Sequence, residues 1–215
     1  MLRHAGGRQA AARAAFVTTY DLPADVRRRF GEDQPEVDAA GRVAVEAAAR
    51  QWFRLLARDP GGNWALPSTA VSDLWEAMTR RRADYAAFCA GAFGRPLQHA
   101  PPPAGEGEAA GGLEGLARTL VAASKDEPYA PDGVPLLFRV DAATGVLNGR
   151  RYLATCGGGA ECYPVPGLLC LRHLSGRARP ERRTYDPRRD KPYFEQGAGP
   201  DRHPREQPGW PGGGG

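Results

Sequence analysis

The sequence predicts a mainly α-helical protein with a small α+β unit following it and a polar tail at the end. Three observations carry this expectation. Over the first hundred residues, apolar side chains recur every three or four positions. Between Val134 and Leu174 the apolar runs shorten and are separated by turn residues, Asn148-Gly149 being a hairpin-type signal. From Ser175 to Gly215 there are seven Pro and eight Gly in 41 residues, a composition that cannot bury a core. The hydrophobic share of 41% suffices for a folded body, so the mean hydropathy of −0.51 places the polar excess at the ends.

Taken in order, residues 1–19 carry basic side chains throughout and no unbroken apolar run. They are expected to be a flexible N-terminus rather than a secretory leader. Leu22 to Phe30 reads as a short opening helix. Pro35 to Arg58 reads as a long one, with Val45, Ala49, Trp52 and Leu56 at intervals of four, three and four, stopped by Asp59-Pro60-Gly61-Gly62. A third helix begins after Leu66-Pro67 with Ser68 as its N-cap. Its stripe of Val71, Leu74, Trp75, Met78, Tyr85, Phe88 and Cys89 falls within an arc of about 100°. Glu76 and Arg80 lie on the far side as an i,i+4 ion pair, whereas Arg82 falls on the apolar stripe and must reach out to solvent or find an acid.

These elements make a helical unit over residues 20–100. Residues 101–112, rich in Pro, Gly and Ala, read as a linker. A mixed unit over 113–174 should open with a helix from Leu113 to Lys125. Three short apolar pieces follow: Val134 to Val140, Tyr152 to Thr155, and Leu168 to Leu174, the last a strand with Cys170 near its middle. Residues 175–215 form the expected disordered basic tail.

The run LPSTAVSDLWEAMTRRRADYAAFCAGAFGRPLQHAP, residues 66–101, resembles the signature of the glycine-rich-domain-like proteins, a family found in bacteria and plants. Pro67, Ser68, Val71, Trp75, Tyr85, Phe88, Cys89, Phe93, Gly94, Leu97 and His99 sit at matching offsets, and WFRLLARDP at residues 52–60 fits upstream. Leu116 to Leu174 is similar to the second half of an actinobacterial branch of hypothetical proteins. The resemblance implies the helical fold. Where the family carries His after the Trp this chain has Glu76, and Met78 and Ser72 replace two further family residues. Of the histidines through which a ligand could be bound, only His99 is kept.

The strongest chemical feature is a cluster of Cys156, Cys162, Cys170 and His173, spaced Cys-x5-Cys-x7-Cys-x2-His. Three thiolates and one imidazole form a closed tetrahedral zinc set of structural type, with no position left open for catalysis. The spacing lacks short Cys-x2-4-Cys knuckles, so reduced, buried cysteines are the alternative. Cys89 with His99 would make a nucleophile and base, but a thiol on a core stripe is a packing group. Residues 105–111, GEGEAAG, lack the Lys-Ser/Thr of a phosphate loop and carry two repelling glutamates. Neither a Gly-x-Ser-x-Gly elbow nor a His-Glu-x-x-His run is present.

No stretch approaches the ~20 apolar residues that span a bilayer. Only Lys125 and Lys191 are lysines among 29 basic residues, a bias that suits a GC-rich bacterial genome. The expectation is therefore a cytosolic bacterial protein with reduced cysteines. It is expected to be no enzyme, but an interaction or adaptor module with a structural zinc and a protein partner that the sequence does not name. From Arg172 onward, ten basic against six acidic residues give a net charge of +4, the whole charge of the chain. With Tyr185, Tyr193 and Phe194 among the arginines, nucleic-acid binding through the tail is one alternative. A ligand-binding domain that has lost its family histidines is the other.

Overall fold

An alanine-rich start makes the first helix. Helix α1 (Leu2–Thr19) contains Ala10, Ala11, Ala12, Ala14 and Ala15, residues that lose the least entropy in a helix. It buries Ala14 and Val17, and Phe16 reaches the rings of Tyr20 and Phe88. Residues 2–19 are thus a docked helix and not the flexible N-terminus expected; two inward side chains one turn apart supply an anchor too sparse to show as a stripe. The computed structural model describes residues 2–99, 112–156 and 168–175, all lying in one compact unit within Met1–Glu181. Nearly all of the expected linker, Cys162, and the tail beyond Ser175 lie outside the described residues.

Helix α2 (Ala24–Asp33) starts after Pro23 and buries Val26 and Phe30. Helix α3 (Ala39–Arg58) is capped by Asp38, whose carboxylate accepts from Gly41 N at 2.6 Å. Beyond the stripe read from the sequence, α3 also buries Ala48, Gln51, Phe53, Leu55 and Ala57. At 100° per residue these cover about 240° of its circumference, the pattern of a helix enclosed by neighbours. On its faces pack α1 and the helices α4 (Thr69–Thr79), α5 (Arg82–Phe93), α6 (Gly112–Asp126) and α7 (Leu136–Thr144). The two separate units expected, 20–100 and 113–174, therefore share one core.

The third helix of the sequence reading is in fact two. Ser68 caps α4, accepting from Val71 N at 3.1 Å. The chain then breaks at Arg81 (φ −93°, ψ 73°) before α5, which ends on Gly94 at φ +69°, a left-handed position that glycine adopts without strain. At the break the three consecutive arginines diverge. Arg80 pairs with Glu76 at 2.8 Å, Arg81 pairs with Asp25 and Asp84, and Arg82 is exposed. The same break turns Trp75 Nε1 onto Tyr85 Oη at 2.8 Å, and Tyr85 in turn donates to Leu97 O at 2.8 Å.

Beyond α6 a 3₁₀ turn (Pro131–Gly133) leads into α7, so the apolar piece Val134 to Val140 is largely helical. Gln51 and Glu127 explain why. Leu136 N donates to Glu127 at 2.6 Å and Leu137 N to Gln51 Oε1 at 2.9 Å, satisfying orphan donors at a helix start that Pro135 leaves uncapped. Asn148 does adopt the turn conformation, at φ +57°. It leads, however, from α7 into β1 (Arg151–Leu153), and no hairpin forms. β1 pairs in parallel with β2 (Leu168–Cys170), with Leu153 opposite Cys170. Cys170 ends its strand, instead of sitting near its middle, and the four-residue helix α8 (Leu171–Leu174) follows at once.

One carboxylate is poorly placed. Burial, then the charges of Glu76 and Asp141, push Asp73 up to about 6 against the bond donated by Gln34 Nε2 at 2.6 Å. The folded state thus holds this proton more tightly than an unfolded Asp at about 3.9, so the linked stability is present below about pH 4 and is lost as pH rises through about 6. Asp73→Asn should stabilise the protein at pH 7 by about 1 kcal/mol, discounted for partial exposure, and the gain should vanish at pH 4 in urea titrations.

Candidate metal centre

Three pieces of backbone deliver the donors. β1 runs out toward Cys156, β2 ends on Cys170, and α8 carries His173. Cys170 occupies the N-cap of α8 and His173 its third helical position, the one-turn spacing at which an N-cap side chain and an N3 side chain meet. The parallel register that sets Leu153 beside Cys170 brings Cys156, three residues on, to the same edge. Buried Leu171, with α8 packed on α6, fixes the platform.

Cys156 Sγ lies 3.7 Å from His173 Nδ1. The two sulfurs and a ring nitrogen all fall within 4.8 Å of one another. A tetrahedral zinc about 2.3 Å from sulfur and about 2.0–2.1 Å from nitrogen requires S···N near 3.6 Å and S···S near 3.8 Å. The donors match this in type, and the Cys156–His173 distance of 3.7 Å matches it in length. His173 Nε2 is buried with no hydrogen-bond partner among the described residues, which leaves Nδ1 as the nitrogen turned toward the sulfurs. Cys156 is partly exposed, while Cys170 is 7% exposed. Of the four residues proposed from the sequence, the structure brings Cys156, Cys170 and His173 together; Cys162 lies outside the described residues.

The other singled-out residues form the packing of the helical body. Tyr152 Oη donates to Pro67 O at 2.9 Å. Trp75 meets the His99 ring edge-on at 4.8 Å, and His99 Nε2 shares a hydrogen bond of 3.0 Å with Ser72 Oγ. Burial pulls the His99 pKa down, so the ring is neutral near pH 7. Phe88 lies among Tyr20, Phe53, Tyr85 and Phe93. Cys89 is 2% exposed. His99 is occupied with Ser72 and Trp75, as expected of a packed histidine.

One polar centre escaped the sequence reading. Asp141, 3% exposed, accepts from Ser68 Oγ at 2.6 Å, Thr69 N at 2.7 Å, Ala70 N at 3.2 Å and Arg150 N at 2.9 Å. It places a carboxylate at the positive end of α4, satisfying donors that the helix leaves open. The signal was available: Asp141 lies four residues after Leu137 and three after Phe138, on the apolar face of α7.

The family described as UCP032817-like matches residues 12–163, well over half of the chain. The match runs from α1 past Cys156, and Cys170 and His173 fall beyond it. No curated protein and no solved structure matches the chain. Among the described residues, no helix is long and apolar enough to cross a membrane.

Proposed function

We propose that this chain, which belongs to the UCP032817-like family, works as a non-enzymatic interaction module of the bacterial cytosol whose C-terminal edge is closed by structural zinc. Cys156, Cys170 and His173 would hold the ion, with Cys162 completing the set on the strength of its place in the sequence. The observation that carries the reading is the convergence of two thiols and an imidazole, one from the segment after β1 and two from the β2–α8 junction, within 4.8 Å of one another. Zinc in such a set supplies folding free energy and no chemistry, because thiolate and imidazole donors fill every position. Here it would tie α8 and β2 to the exit of β1.

A role in binding rather than catalysis is supported by how the reactive groups of the body are used. Asp141 accepts from four donors, Ser68 both caps α4 and donates to Asp141, and His99 is held by Ser72. The likeness to glycine-rich-domain-like proteins enters this reading for the helical body alone, since the residues that carry it are packing residues.

Elemental analysis of the full chain, purified without chelator or a metal-binding tag, should find one equivalent of zinc. Cys156→Ser and His173→Ala should each lose most of it, while Cys89→Ser keeps it. Zinc-free wild-type protein, or variants that retain the ion, would contradict the reading.

A further inference from the structure

We propose that Cys156 and Cys170 are also a thiol switch, joined into a disulfide by peroxide so that the zinc is expelled. This rests on the metal reading for its second half and on geometry alone for its first. The two sulfurs lie within 4.8 Å of one another, Cys170 at the end of β2 and Cys156 three residues beyond the β1 residue that pairs with it. Closing that gap to the roughly 2.05 Å of a disulfide asks for side-chain rotation and a small shift of the segment after β1. The two thiols also differ in access, as an attacking and a resolving cysteine should. Cys156 is partly exposed and has an imidazole nitrogen at 3.7 Å, whereas Cys170 is buried behind it. Cys89, 2% exposed in the aromatic core, offers an internal comparison.

The chemistry balances with a hydroperoxide as the oxidant. The Cys156 thiolate attacks one peroxide oxygen, the O–O bond breaks, and hydroxide departs, leaving a sulfenic acid. The Cys170 thiolate then attacks the Cys156 sulfur, the S–O bond breaks, and a second hydroxide departs as the S–S bond forms. Peroxide gains two electrons and the two thiolates lose them. The ion is left with too few donors to stay bound, and a thiol reductant reverses the sequence.

The test treats zinc-loaded full-length protein with stoichiometric hydrogen peroxide and follows released zinc with a colorimetric chelator. Digestion after Glu161 and Leu168 places Cys156, Cys162 and Cys170 on three separate peptides, so a linked peptide pair in the mass spectrum reports which two are bonded. The expected result is about one zinc released per peroxide consumed, with a Cys156–Cys170 pair that dithiothreitol cleaves. In Cys170→Ser, dimedone should label Cys156, whereas Cys162→Ser should still form the pair. Zinc-bearing protein that yields no Cys156–Cys170 pair overturns the switch and leaves the metal reading standing. A protein purified without zinc that still forms the pair supports the switch and overturns the metal reading instead.

Discussion

Asp141→Ala should lower the unfolding free energy by about 3–5 kcal/mol, because it strands several buried donors at once. Ser68 Oγ and the amides of Thr69, Ala70 and Arg150 all donate to this carboxylate, which is 3% exposed. The bonds join three places: the start of α4, the body of α7 and the approach to β1. Their loss strands the donors at the start of α4 and cuts the link from α7 to α4 and to the approach to β1. Asp141→Asn should cost about 2 kcal/mol, since one oxygen still accepts while the new amide points donors at donors. Urea unfolding followed by circular dichroism reads both values. A loss below about 1 kcal/mol for Asp141→Ala would mean that water replaces the carboxylate and that the centre does not organise the fold.

Phe88→Ala should cost about 3–5 kcal/mol through the cavity it leaves. The ring lies 4.7 Å from Tyr20, 5.1 Å from Phe53 and 5.6 Å from Phe93, between centroids, and 6.2 Å from Phe16 on α1. It therefore couples α1, α3 and α5 at one point. Against a typical total of about 5–15 kcal/mol, such a loss approaches global unfolding. Where the variant remains folded, hydrogen exchange should show α1 losing protection first, because α1 holds on by few side chains. Equal loss of protection across α1, α3 and α7 would instead mark a core with no weak edge.

How far the sequence discloses this structure depends on what each side chain reports. Periodic apolar stripes disclosed α3, α4 and α6, and the turn residues after Arg58 disclosed where α3 stops. They did not disclose that α3 is enclosed, because its stripe of Val45, Ala49, Trp52 and Leu56 already satisfied one face. Buried Ala48, Phe53 and Leu55 on other faces look ordinary in a helix until neighbours cover them. That oversight produced the expectation of two units in place of one core. α1 was hidden by its arginines, which mask an inward edge as narrow as Ala14 and Val17.

For the candidate metal centre, residue type was legible and position was not. Sulfur and imidazole crowded into a Cys-poor chain mark a candidate whatever the fold. Their convergence depends on a parallel strand pair and on Cys170 being the cap of a short helix, neither of which leaves a periodic trace in so few residues. Asp141 was missed for the opposite reason. Its position on an apolar face was legible, but three of its four donors come from the start of α4, some seventy residues earlier, and no local pattern announces them.

Zinc K-edge X-ray absorption on the full chain as purified tests the central claim most directly. The account predicts a mixed shell, with sulfur at about 2.3 Å and nitrogen at about 2.0–2.1 Å, and a zinc edge that falls away with the ion in Cys170→Ser. A shell of light atoms alone, or an edge and shell unchanged in Cys170→Ser, would contradict it.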